Sequence, residues 1–251
     1  MRLDKYLCEA GLGTRSQVKK LLKSGAVTVN GQTAVRPEQK IKENDRVAVS
    51  GRELSVSKME YWMLNKPAGC VSATEDSRFQ TVLDFLPEGA RRDLFPAGRL
   101  DRDTEGLLLL TNDGKLAHFL LSPKRHVDKV YYARIRGRVT EEHVRLFEEG
   151  LDIGDEKRTL PARLVILKST ATDASREDAE EAEDRTSEIQ VTLREGRYHQ
   201  VKRMFEAVGC EVAYLKRLSM GSLKLDESLS PGECRLLTEE ELARLKEETG
   251  C

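Results

Sequence analysis

Nowhere in these 251 residues is there a run of about 18 apolar side chains, the length a membrane helix requires. The opening Met1-Arg2-Leu3-Asp4-Lys5 is charged where a signal peptide would be apolar. A soluble, cytoplasmic protein is therefore expected. The cysteines, Cys8, Cys70, Cys210, Cys234 and Cys251, show no paired CxxC spacing, which argues against a disulfide frame or a zinc site and for reduced thiols. Four isolated histidines give no catalytic metal cluster either, so neither metal nor cofactor is expected. Both Gly-rich nucleotide fingerprints are missing, which leaves a nucleotide-dependent enzyme without support.

What is present begins with charge. The net charge of −1 conceals a strong asymmetry. Residues 1–58 hold twelve Lys/Arg against six Asp/Glu, a net of +6, whereas residues 168–188 carry −5 and residues 239–251 carry −3. A phosphate-bearing partner responds to the local patch and not to the average. With 39% hydrophobic residues the chain can fill a core, and its length suits two or three domains.

Residues 1–50 read as a small α/β unit. Leu3, Leu7 and Ala10 recur at helical spacing, and Gly11-Leu12-Gly13 ends that helix. Thr14 or Ser16 can cap a second helix, on which Ser16, Lys19, Lys20 and Lys23 share a polar, basic face while Val18, Leu21 and Leu22 turn inward. Val27-Thr28-Val29 alternates as a strand, Asn30-Gly31 signals a hairpin, and Arg46-Val47-Ala48-Val49 reads as a last strand. Residues 51–59 read as a linker. Across 60–238 strands and helices mix without regular alternation. Strands are expected at Tyr61 to Leu64, Leu107 to Thr111, Val130 to Ile135 and Gln190 to Leu193. Helices are expected after Thr81, from the Asn112-Asp113-Gly114 turn onward to about Leu121, and over Val201 to Ala207. Residues 169–187 are acidic and poor in apolar side chains, as an exposed loop would be. Residues 239–251 read as a C-terminal surface helix with Thr238 as its cap and acids in the first turn.

The densest motif is Gly98-Arg99-Leu100-Asp101-Arg102-Asp103-Thr104-Glu105-Gly106, followed at once by LLLLTNDG. Charges directly before an apolar strand sit at a strand mouth, where side chains can converge on a cleft. The same string also reads as a solvated turn whose charges pair among themselves.

This string closely resembles the signature of bacterial pseudouridine synthases of the RsuA type. MLNKPAGCVSA is similar to that family's opening strand and loop, EGRYHQVKRMFEAVG to its C-terminal motif, and the first fifty residues look like the S-four RNA-binding domain that precedes the catalytic domain. The resemblance implies an α+β fold: a small RNA-binding domain plus a catalytic domain with a mostly antiparallel sheet and a central cleft. It also implies that Asp101 is the catalytic carboxylate, that Tyr131 of Lys129-Val130-Tyr131 stacks on uracil, and that Lys202 is the cation paired with Asp101. A carboxylate could act as a nucleophile at a sugar or base carbon, or as a base at the sugar. The target uridine has to leave its stack to reach it.

The remaining residues carry weaker implications. Arg99, Asn65, Lys66, Lys129, Gln200 and Arg203 are expected to contact or position RNA, although Lys129 could equally support a loop and Pro67 suggests a simple chain turn after Lys66. His199 is expected to be structural or positioning. In the first domain Arg2, Lys5, Arg15, Lys19, Lys20 and Lys23 form the expected phosphate patch, contacting backbone without reading bases. The order Tyr198-His199-Gln200-Val201-Lys202-Arg203 is as in the small-subunit enzymes, whereas large-subunit relatives tend to carry an Asn-Arg pair before the Gln or Glu. The expected substrate is 16S ribosomal RNA, free or in a partly assembled subunit, and the expected state is a monomer. The alternatives are a large-subunit synthase and a non-catalytic ribosome-assembly factor.

Overall fold

Apolar side chains one helical turn apart begin the chain and close its first core. The computed structural model describes residues 1–10, 12–42, 45–54, 59–122, 125–169 and 186–250. The residues divide into two units, Met1–Met59 with Arg91–Asp93, and Glu60–Ala90 with Leu94–Cys251. In the first, α1 (Leu3–Glu9) and α2 (Arg15–Lys23) pack Leu3, Leu7, Val18 and Leu22 against Val27 and Val47, all fully buried. Thr14 starts α2 through a capping box with Gln17. Asn30 and Gly31, both at positive φ, link β1 (Val27–Val29) to β2 (Gln32–Thr33) in the tight hairpin their sequence signals.

Two further strands, β3 (Val47–Val49) and β4 (Arg52–Leu54), complete an antiparallel sheet of order β2-β1-β3-β4. The expected linker at 51–59 is therefore shorter than its polarity suggested. Ser50 and Gly51, both at positive φ, turn the chain back, and Arg52–Leu54 pairs with β3; residues 55–58 lie outside the described residues. Arg15, Lys19, Lys20 and Lys23 stand exposed along α2.

The second unit contains β5 (Tyr61–Lys66), a 3-10 turn at Val82–Phe85, β6 (Phe95–Pro96), β7 (Glu105–Thr111), α3 (Gly114–Leu121), β8 (Lys129–Arg136) and α4 (Glu141–Glu149). It continues with β9 (Arg163–Ser169), β10 (Thr186–Leu193), α5 (Gln200–Glu206), β11 (Glu211–Met220), β12 (Leu223–Lys224), β13 (Cys234–Leu236) and α6 (Glu239–Thr249). Its sheet runs β13-β5-β7-β11-β8-β10-β9, with β6 also on β7 and β12 on β11. Most of the acidic stretch expected as a loop, residues 170–185, lies outside the described residues, between β9 and β10.

Strand β7 is buried on both faces, which is why its centre, Leu107 to Leu110, is apolar without alternation. Leu108 and Leu110 join one core with Tyr131, Ile135, Phe147 and Phe205. Leu107 and Leu109 join another with Met63, Leu116 and Leu120. Leu245 of α6 is fully buried in that second core, with Leu242 packed beside it. The C-terminal helix is thus an integral part of this unit, because its apolar stripe has a sheet face to cover. Trp62, the only tryptophan, lies on β5 in register with Leu110 of β7 and Leu236 of β13, its indole N–H donating to Glu60. Among the described residues no helix is long and apolar enough to cross a membrane.

Among the described residues all the strand pairs are antiparallel except one. Strands β7 and β11 run parallel, and their register covers only Glu105 with Lys216 and Gly106 with Arg217. At this seam the backbones approach so closely that a Cβ on Gly106 would sit 2.3 Å from the Arg217 carbonyl oxygen, and Gly106 also has φ +99°. Only glycine fits. Gly89 has a similar φ of +95° but faces open space. Backbone strain alone costs roughly 1–3 kcal/mol, so Gly89→Ala should lose stability in that range. Gly106→Ala should lose about 2 kcal/mol more, because backbone must also move. Urea unfolding of both variants measures the difference, and equal losses would show that the seam tolerates a side chain.

Candidate active site

The charged string Gly98 to Gly106 spans the connection from β6 into β7, and its backbone is held from below by a lysine. Lys66, the last residue of β5, is fully buried. Its Nζ donates to the carbonyls of Pro67 (3.0 Å), Asp101 (3.1 Å), Arg102 (3.3 Å) and Thr104 (2.9 Å). Burial draws the Lys66 pKa down, while nearby Cys70, Asp103 and Asp101 pull it back toward its ordinary value. Ser72 clamps the other side: its hydroxyl donates to the Leu100 carbonyl and accepts from the Leu100 N–H. The Gly69 N–H reaches the Arg102 carbonyl. Asp101 is thereby fixed by its neighbours' backbone, leaving its side chain to face a cleft.

That cleft is a cavity of about 710 Å³, lined among others by Asp101, Arg99, Lys129, Tyr131, His199 and Arg217. The size falls within the roughly 300–1,000 Å³ of small-molecule sites. Tyr131 comes from β8 and is 92% buried, with part of its surface on the cavity. His199 Nε2 lies 3.6 Å from Asp101 Oδ1, and Lys202 Nζ lies 3.5 Å from Oδ2. His199 begins α5 with a positive φ, and its ring stacks on Tyr198 at 3.8 Å, leaving Tyr198 74% exposed.

Lys202 was expected to pair with Asp101, and it stands at ion-pair distance from that carboxylate. Its hydrogen bonds go to both oxygens of Asp103, at 2.6 and 2.8 Å, because the loop offers two carboxylates to one ammonium. Burial raises the Asp103 pKa, but the Lys202 hydrogen bond and charge outweigh it, and the carboxyl ends below its ordinary value. Lys202 is an ion-pair neighbour of Asp101 and a hydrogen-bond partner of Asp103.

Other expected RNA contacts are also redistributed. Asn65 and Lys66 are buried, not RNA-facing: Asn65 donates to the Leu229 carbonyl, and Lys66 serves the loop as described. Strand β5 lies inside the sheet, so its end points into the protein. Gln200 is buried and committed to Glu195, which also receives the Leu160 N–H and Arg197. Arg203 is tied to Asp155 and to the carbonyls of Ile153 and Tyr198, which occupies its guanidinium. Arg2 forms an ion pair with Asp4. Arg99 is exposed at the cavity, and Lys5, Arg15, Lys19, Lys20 and Lys23 are exposed in the first unit.

Two cations lie unusually deep. Lys129 is 6% exposed, and its Nζ donates to the Val127 carbonyl. Burial, and then the charge of Arg217, push the Lys129 pKa down to about 8, with Asp128 opposing. Arg217, on β11, is 2% exposed; its Nε donates to the Leu107 carbonyl, and its Nη2 is buried without a partner among the described residues. Sequence reading passed over Lys66 as a loop support, Ser72, Asp103 and Arg217. Asp103 lay in plain view within the charged string, whereas Arg217 sits in a strand of mixed character that offered no signal.

Comparison with known proteins supplies the chemistry that such a site performs. Residues 60–207 match the family described as RNA pseudouridylate synthase, and residues 1–47 match the S4 domain. The chain is 47% identical to the uncharacterized RNA pseudouridine synthase YtzG of Bacillus subtilis, over 98% of this chain and 99% of that protein. It is 41% identical to the ribosomal small subunit pseudouridine synthase A of Vibrio cholerae, with the same coverage of both chains. It is also 37% identical to the ribosomal large subunit pseudouridine synthase B of Bacillus subtilis, over 98% and 95%. A crystal structure of a pseudouridylate synthase superposes with a TM-score of 0.67 at 37% identity, covering 98% of this chain and 99% of the other.

The depressed Lys129 pKa has a measurable consequence. Between about 8 and the ordinary 10.5, the folded chain has released a proton that the unfolded chain still holds. Stability therefore rises with pH across that window. Wild type should gain on the order of 3 kcal/mol relative to Lys129→Met between those limits, measured by urea unfolding at a series of pH values. Parallel curves would place Lys129 in water.

Proposed function

The chain belongs to the RNA pseudouridylate synthase family and begins with an S4 domain, and from that premise we propose that it isomerises a uridine in small-subunit ribosomal RNA with Asp101 as the catalytic carboxylate. It is a pseudouridine synthase. The observation that carries the residue assignment is the cavity at the β7–β11 seam, where Asp101 shares one space with Tyr131.

The reaction breaks the bond between ribose C1′ and uracil N1, turns the ring, and forms a bond from C1′ to C5. The C5 proton is lost and N1 gains one, so nothing is oxidised and no group donor is consumed. Asp101 attacks a carbon of the nucleotide or removes a ribose proton; either role needs a carboxylate held still, and Lys66 holds its carbonyl while Ser72 holds the backbone of Leu100 before it. Tyr131 supplies a flat face for the ring. Lys202 balances the Asp101 charge from the α5 side, with the His199 ring beside it. The target uridine reaches this depth by leaving its helix, while the exposed basic face of α2 holds RNA backbone.

Support for the small subunit comes from the similarity to the small-subunit synthase A and from the order Tyr198-His199-Gln200 before Val201-Lys202. The large-subunit reading has its own support, the similarity to synthase B. The protein acts as a monomer in the cytoplasm under either reading.

Release of tritium from RNA carrying 5-tritiated uridine tests the chemistry. Wild type should release it, and Asp101→Asn should be slower by at least about a thousandfold; persistence of turnover would remove Asp101 from its role. The substrate is tested separately by mapping pseudouridines in ribosomal RNA from a strain lacking the gene. One position should revert to uridine in 16S RNA, and a loss confined to the large-subunit RNA would favour the second reading.

A further inference from the structure

Arg217 is a large cation buried without an anion. It is 98% buried, it forms no ion pair among the described residues, and its single hydrogen bond there runs from Nε to the Leu107 carbonyl. One such bond suffices to stitch the β7–β11 seam. It leaves the outer guanidinium nitrogens unused, with Nη2 buried and unpartnered. A buried charge in that condition is costly unless something pairs with it.

Its position says what that partner is. Arg217 lies directly opposite Tyr131 across the antiparallel β8–β11 pair, so both side chains leave the same face of the sheet. Lys129, two residues before Tyr131 on β8, shares that face. All three line the cavity that holds Asp101. The two cations are close enough for each other's charge to matter, yet among the described residues neither makes a hydrogen bond to a carboxylate.

We propose that Arg217, with Lys129 beside it, is the electrostatic anchor of the uracil ring while it is detached from the ribose. The assignment rests on the synthase reading given above. When the C1′–N1 bond breaks, its electron pair leaves with the ring, and the negative charge spreads over N1 and the carbonyl oxygens O2 and O4. The ring has to be retained and turned as this anion before C5 donates electrons to C1′, loses its proton to solvent, and N1 is reprotonated. A fixed guanidinium in a poorly hydrated pocket stabilises that charge without rearranging during the reaction. It also keeps the anion from escaping. Binding of the neutral base makes less use of it.

The test compares RNA containing uridine with the same RNA containing 5-fluorouridine, using full-length wild type, Arg217→Met and Arg217→Lys. The rate followed is single-turnover loss of the intact nucleoside at saturating protein, with RNA affinity measured in parallel. Fluorine at C5 withdraws electrons and makes the ring a more stable anion, which needs less help. Arg217→Met should slow uridine cleavage about a hundredfold, with RNA affinity within about threefold of wild type, and should slow 5-fluorouridine cleavage by no more than about a tenth of that factor. Arg217→Lys keeps a cation in the core; it should fold and show the same inequality with a smaller loss. Equal losses on both RNAs in either variant would make Arg217 a structural stitch and overturn the proposal. So would a loss confined to affinity, which would reassign it to backbone phosphate. Wild type inactive on uridine RNA would instead overturn the synthase reading itself.

Discussion

Two backbones pressed together at Gly106 and Arg217 set the plan of the synthase unit. An antiparallel sheet can grow by hairpins, but two antiparallel blocks joined edge to edge need a strand pair that no hairpin makes. Here that pair is parallel, with a register of two residues on each strand. The absent side chain at Gly106 lets the blocks meet, and the charged string enters β7 immediately before that point. The cleft, the carboxylate loop and the seam are consequences of one close approach.

The electrostatic arrangement around Asp101 is layered. Lys202 and His199 stand beside the carboxylate at the surface, partly exposed to water. Lys66 lies beneath the same loop and donates to four carbonyl oxygens, so it shapes the backbone and leaves the carboxylate free. Lys129 and Arg217 also line the cleft but are almost fully buried, where charge acts strongly and costs much. Cations at three places therefore serve three tasks: balancing the acid, holding its loop, and meeting charge that arises during turnover.

Local pattern revealed much of this fold because several elements obey a single rule. Asn30-Gly31 demands a hairpin, Thr14 caps α2, and a short leucine run closed by Asn112-Asp113-Gly114 reads as a strand covered on both sides. What stayed hidden depends on partners distant in sequence. The polarity of Arg52–Leu54 looked like a linker until β3 provided a pairing edge. Leu242 and Leu245 looked like surface positions on an acidic helix until a sheet face needed covering. Within the site, the carboxylate, the aromatic ring and Lys202 were legible from motif resemblance. Lys66 resembled a surface lysine because sequence does not show that β5 ends inside the molecule, and the preference of Lys202 for Asp103 depends on loop geometry that no spacing encodes.

The lone indole of the chain gives this architecture a built-in optical label. Trp62 lies on β5, between strands of the synthase sheet, and residues 1–59 contain no tryptophan at all. Emission excited at the red edge of the absorption band therefore originates in the catalytic unit alone. Circular dichroism follows both units together, while that emission reports whether the sheet beneath the cleft is still assembled, so the difference isolates the RNA-binding unit. One chain thus yields two separable unfolding signals without an attached dye.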